Sequence, residues 1–167
     1  MKADQFEYLV SDNSIHSQYD GYWIHFYNDN VEEDLTDAEL QKSAHENLDM
    51  YIHKVIPKNE YLDRMQKLKS VYTHGKYMFF SDDLVKLAHV TQCIMVKYKL
   101  HHAKLSAKCK NSPGFGHVSC IYDTNDSKKY MLKQYASYNV NYRYWKYDID
   151  TLCGIYSDAH RNSSRTK

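Results

Sequence analysis

Residues 101–110, HHAKLSAKCK, alternate apolar and polar side chains with a period of two, a pattern satisfied by a strand with two unlike faces. One face collects His101, Ala103, Leu105, Ala107 and Cys109; the other collects His102, Lys104, Ser106, Lys108 and Lys110. The first set suits a core. The second places three lysines side by side, and like charges directly opposed across strands repel by up to about 1 kcal/mol. That face is therefore turned to water or to an anion, and any fold for this chain must cover one side of the strand while leaving the other open.

The chain can supply the cover. At 167 residues and 43% hydrophobic content, it suits one domain that buries roughly two thirds of its unfolded surface. A single domain is expected over 1–158, followed by a flexible polar tail over 159–167 that ends HRNSSRTK. No apolar run approaches the ~20 residues of a membrane span, and MKADQFEYLV lacks the basic and then apolar pattern of a signal peptide. Cys93, Cys109, Cys120 and Cys153 show no CxxC or CxxH spacing, which argues against a zinc framework. These features fit a cytoplasmic protein with reduced, mostly buried thiols, no metal, no cofactor and no membrane partner. Pro113-Gly114-Phe115-Gly116 reads as a turn, since the lysine and helix start of a phosphate loop do not follow it.

Charge is divided along the chain. Residues 1–50 hold two Lys/Arg against twelve Asp/Glu, and residues 51–167 hold twenty against nine. An acidic third is joined to a basic remainder, which suits a phosphorylated ligand or nucleic acid on the basic part and leaves the acidic third as a surface for a protein partner.

Periodicity organises the rest. GYWIHFY (21–27) reads as an aromatic strand. Thr36 and Glu39 have the spacing of a capping box, starting a helix whose stripe is Leu40, Ala44, Leu48, Tyr51, Ile52 and Val55 and which Pro57 ends. Tyr61, Met65, Leu68 and Tyr72 mark a second helix, and KYMFF (76–80) the next strand. Ser81 with Asp82 and Asp83 opens a third helix, with Leu84, Leu87, Ala88, Thr91, Ile94, Met95 and Tyr98 buried. The lysine-bearing strand, a turn at 111–116, HVSCIYD (117–123), a short helix from Asp126 and VNYRYWKYD (140–148) complete the series. This order predicts an α+β fold of two layers, a curved and mainly antiparallel sheet with helices on one face.

HGKYMFF (74–80), LSAKC (105–109), HVSCIYD (117–123) and YWKYDIDTLCGIY (144–156) occur in an order and spacing that resembles the basophilic-leukaemia-expressed protein family. Lys76, Lys108 and Lys146 match its motif positions, whereas Tyr77 and Trp145 depart from it. The resemblance covers 74–156 and implies a fold like that of the messenger-RNA cap-binding translation initiation factor. Some members carry the name phosphothreonine lyase.

A phosphate site can be assembled from Lys104, Lys108, His117, Lys146, Arg143 and His102, because arginine offers a bidentate fork, lysine a point charge and histidine a proton near neutral pH. Arg143 and Lys146 fall on opposite sides of a regular strand, so both join one site only where a bulge or a strand end intervenes. The lyase chemistry that the resemblance implies needs a base and an acid, for which Lys108 and His117 are the candidates. Trp23, Trp145 and the tyrosines offer stacking surfaces for bases or simply core. The alternative is a non-enzymatic interaction protein, such as a viral or phage inhibitor, acting through its divided charge. If so, neutralising Asp34, Asp37, Glu46 and Asp49 should abolish binding to a basic partner while Lys104 and Lys108 prove dispensable; a phosphate-binding protein should show the reverse in the same assay.

Overall fold

The structure, a computed structural model, describes residues 10, 12–107, 116–136 and 139–152. The expected alternation is realised in β4 (His102–Ser106), which buries Ala103 and Leu105, although Ser106 at its end is buried too; β2 (Trp23–Asn28) alternates in the same way and buries Ile24, Phe26 and Asn28. With β1 (Ile15–Tyr19), β3 (Gly75–Ser81), β5 (His117–Asp123) and β6 (Asn141–Tyr147) they form a six-stranded sheet in the order β1-β2-β4-β5-β3-β6. The registers from β1 across to β3 are antiparallel. The fold is thus α+β with an antiparallel sheet. β1, IHSQY, has no place in the sequence-based order, because a polar edge strand lacks the apolar alternation of a half-buried one.

The apolar face of the sheet is covered by α3 (Leu84–Tyr98), whose predicted stripe buries Leu87, Ala88, Thr91, Ile94 and Met95. These side chains pack with Ile24, Phe26, Tyr77, Phe79, Leu105 and Ile121 in one cluster, each fully buried aliphatic or aromatic side chain contributing about 1.5–3 kcal/mol. The Thr91 hydroxyl inside is satisfied, lying 2.7 Å from both the Leu87 carbonyl and the Ser119 hydroxyl. The helix start differs by two residues from expectation. Asp83, not Ser81, is the N-cap, its carboxylate accepting from the Lys86 amide at 3.0 Å, while Ser81 Oγ accepts from the Asp83 amide.

The described residues group into two compact units, the sheet and α3 in one and residues 34–74 with 147–152 in the other. The second contains α1 (Ala38–Ile52), α2 (Lys58–Lys69) and α5 (Asp148–Leu152), packed around Ala44, Ile56, Tyr61, Met65, Tyr72 and Ile149. Here the sequence reading needs four corrections. The capping box is not formed, since Thr36 Oγ1 donates to Asp34 at 2.7 Å. Asp37 takes the N-cap position without capping, its buried carboxylate accepting instead from the amides of Thr73 and His74 at 3.1 Å each. It is a structural group and does not belong among surface charges. Helix α1 stops at Ile52, before a left-handed Lys54 (φ 57°), leaving Ile52 and Val55 59% and 66% exposed; Pro57 instead precedes α2. Finally, the segment after β6 turns helical, and Asp150 pairs with Lys69 at 2.5 Å.

Two further placements bear on the sequence reading. Cys120 is buried and Cys93 exposed, both as free thiols, and no helix among the described residues is long and apolar enough to cross a membrane. The expected tail, the turn at 111–115, and Lys108, Cys109 and Cys153 lie outside the described residues.

Gly75 marks the closest approach of β3 to β6. A Cβ there would stand 2.5 Å from the Lys146 carbonyl oxygen and 2.6 Å from the Trp145 ring, and neither backbone nor indole can withdraw without parting the strands. Gly75→Ala should lower stability by about 1–3 kcal/mol, read as a reduced midpoint in chemical denaturation with an unchanged slope.

Candidate functional site

Period-two alternation places Trp23, His25 and Tyr27 of β2 on the sheet face away from α3, opposite the buried Ile24 and Phe26. Register then lines up side chains from five strands. His16 pairs with Tyr27, Tyr27 with His102, and Tyr122 with Lys76, while the β4–β5 register brings His102 beside Tyr122. The rings are near-parallel, with centroids 5.0 Å apart for His16–Tyr27, 4.9 Å for Tyr27–His102 and 4.8 Å for His102–Tyr122. These separations match the ~4.8 Å spacing between strands, so each ring stands on edge over its own strand with its faces taken by its neighbours. The face of the sheet therefore presents ring edges, hydroxyls and imidazole nitrogens, and inner rings of this row have no open face on which a base would stack.

Two lysines converge on the row. Lys104 Nζ lies 4.5 Å from the Trp23 ring centroid and 5.8 Å from that of Tyr122, and Lys76, which is buried, has its Nζ 5.5 Å from Tyr122. The ring quadrupoles attract both ammonium groups and hold them on either side of one tyrosine. Beside them runs a hydrogen-bonded chain: Asp20 Oδ2 is 3.0 Å from His25 Nε2, and His25 Nδ1 is 3.1 Å from His102 Nε2. Bonds from the Trp23 amide, His25 and the Tyr22 amide hold the Asp20 carboxyl down at about 2, so it is a carboxylate, an acceptor only. Burial, with smaller contributions from the charges of His25, His101 and Lys104, lowers His102 to about 4, so it is uncharged at neutral pH.

The residues expected to bind phosphate are thus only partly brought together. Lys104 and His102 share the open face, Lys104 opposite Leu105 as the alternation requires. His117 lies on the other side, in register with Ser81 and in phase with the buried Ser119, donating from Nδ1 to the Ser106 carbonyl at 2.7 Å. Along β6, Tyr142 and Trp145 both pack against the core though three residues apart, so the alternation slips between them as a bulge would make it. Arg143 stacks its guanidinium 4.8 Å over Phe80, and alternation from Trp145 directs Lys146, which is buried, to the same side. Phe80 and Lys76 are four residues apart on β3, about 13 Å, which keeps Arg143 away from Lys104. Arg143 instead lines a separate 420 Å³ cavity with Asp82, Asp83, Asn139 and Asn141, where charges of both signs meet.

Asp20, His25, Tyr27 and Tyr122 were missed in the sequence reading. The signal was available, since Trp23, His25 and Tyr27 alternate with Ile24 and Phe26 in the pattern that singled out His102 and Lys104. No family model, curated protein or solved structure matches the chain.

The depressed His102 has a consequence for stability. The unfolded chain, with an ordinary histidine near 6.5, takes up this proton before the folded one does. Stability is full above about 6.5 and falls as pH drops toward the folded value of about 4, by up to about 3 kcal/mol. Denaturation midpoints measured across this window should decline, and His102→Phe, which keeps a ring in the row, should flatten the decline.

Proposed function

We propose that the protein binds a phosphorylated ligand, a phosphoprotein, nucleotide or RNA phosphate, on the open face of its sheet. The observation that carries this reading is the convergence of Lys104 and Lys76 on Tyr122, beside the His102 imidazole. Charge-assisted bonds from ammonium groups are short and about twice as strong as neutral ones, and hydroxyl and imidazole edges suit a phosphate group better than the flat of a base. The resemblance to the basophilic-leukaemia-expressed family and its cap-binding-like fold belongs to the same proposal, as does a phosphothreonine-lyase activity with Lys108 as base. The acid expected at His117 is turned to the core, on the opposite face from Lys104.

A second reading, a non-enzymatic partner surface, is favoured by Leu35, 63% exposed beside Glu32, Glu33 and Asp34, since an exposed large apolar residue set in a like-charged segment suits a complementary protein surface.

Thermal shift with nucleotides, phosphopeptides and short oligonucleotides separates the two, because a ligand of the folded state raises apparent stability. At least one phosphorylated ligand should raise the midpoint, and Lys104→Ala should weaken its binding by about 1–3 kcal/mol. Mass spectrometry of a phosphothreonine peptide reads the lyase: elimination leaves a product one water lighter than dephosphorylation does. No shift with any anion, together with capture of a basic protein that Lys104→Ala still binds, would sink the phosphate reading.

A further inference from the structure

The hydrogen-bond chain on the open face has only two ways to arrange its protons. The Asp20 carboxylate can only accept, so His25 Nε2 carries a hydrogen and donates to it across 3.0 Å. When His25 is neutral its Nδ1 is bare and accepts from His102 Nε2 across 3.1 Å, which leaves His102 Nδ1 bare as well. When the pair gains one proton, it enters at His102 Nδ1, the Nε2 hydrogen of His102 passes along the bond to His25 Nδ1, and His25 becomes an imidazolium with both hydrogens bonded. The two rings are parallel within 4°, with centroids 5.4 Å apart, the separation expected of coplanar rings joined edge to edge through their nitrogens, so the bond is aligned for that transfer.

We propose that Asp20, His25 and His102 are a proton-linked part of the anion site, in which one added proton rests on His25, converts His102 Nδ1 from acceptor to donor, and is taken up together with a tetrahedral oxyanion. The inference rests on the phosphate reading above. His25 is the register partner of Lys104, so the new charge arises beside an existing ammonium, a repulsive arrangement that a bound dianion relieves. Binding and protonation are therefore coupled, each favouring the other to the same extent.

The groups that face the pair support this assignment of the charge. Asp20 borders His25 on β2, and on β1 His16 is already engaged by Asp29 at 2.7 Å. Lys104 on β4 brings positive charge near His102, Lys76 on β3 stands beyond Tyr122, His101 is bonded to the Val31 carbonyl at 2.7 Å, and the Tyr27 and Tyr122 rings flank His102. Of the two imidazoles, only His25 has a carboxylate, and the lowered proton affinity of His102 agrees with it remaining neutral.

Long-range nitrogen–proton NMR of the full chain, without ligand, reads the tautomers directly between pH 8 and 5. Protonation of His25 should be accompanied by a change of His102 from the Nε2–H to the Nδ1–H form. Sulfate, whose charge is constant over this range, is the binding probe: its affinity should rise as pH falls, approaching about tenfold per pH unit where the pair titrates. His25→Gln should make sulfate affinity independent of pH, and Asp20→Asn, a change at an exposed site, should move the titration to lower pH with the fold intact. His102 keeping its Nε2 hydrogen throughout, or His25→Gln retaining the wild-type pH profile, would overturn the proposal. Absence of sulfate binding at every pH would overturn the phosphate reading and the coupling that depends on it, while the tautomer change, observed without ligand, would still establish the proton-sharing pair.

Discussion

Strand β4 can take only one orientation between its neighbours, and the rest of the sheet unit depends on that choice. It lies between β2 and β5, and a slip of one residue would turn Ala103 and Leu105 outward and bring His102 and Lys104 under α3. Burial of two side chains would be exchanged for desolvation of a charge, which costs several kcal/mol even after relaxation. Core packing on one face therefore fixes the alignment of side chains on the other. The row from His16 to Lys76 needs no contacts of its own to be straight, because it inherits its register from Ile24, Phe26, Leu105 and Ile121 behind it.

That inheritance also explains how cations are tolerated on this face. Ring edges and hydroxyls provide polar neighbours, and the flats of Trp23 and Tyr122 receive the ammonium groups of Lys104 and Lys76. A carboxylate stands at one margin, where Asp20 addresses His25 rather than a lysine. Near Arg143 the arrangement differs: two aspartates share the cavity wall with the guanidinium, so its field is closer to neutral.

How far the sequence was legible depended on whether a signal was local. The period of two in 101–110 foretold that Ala103 and Leu105 of β4 face the core, 21–27 was read as a strand without its faces being assigned, and the helical stripe of α3 was correct from Leu87 to Met95. Signals of capping fared less well. Thr36 and Glu39 have the right spacing, but Asp34 takes the Thr36 hydroxyl and Asp37 is committed to Thr73 and His74, partners more than thirty residues away. The site had the same limit. Lys104 and His102 could be read from one strand, whereas Asp20, His25 and Tyr122 join them only through strand order, which no stretch of sequence displays. The distance of Arg143 from Lys104 follows from β3 lying between β5 and β6.

That strand order also governs how the protein assembles. Only β1–β2 and β4–β5 join strands adjacent in sequence; β2 must wait for β4, and β3 must wait for β5, across intervening helices. Closing such long loops delays contacts that reward them, and topologies of this kind fold slowly compared with helical bundles. On a chain emerging from its N-terminus, the first hairpin keeps an unpaired edge on β2 until residues 102–106 arrive, and β3 waits longer, for residues 117–123. The ring row, drawing on positions from 16 to 122, is therefore built in stages: His16, Tyr27 and His102 align once β4 joins the hairpin, and Tyr122 extends the row when β5 arrives and brings β3 with Lys76 alongside.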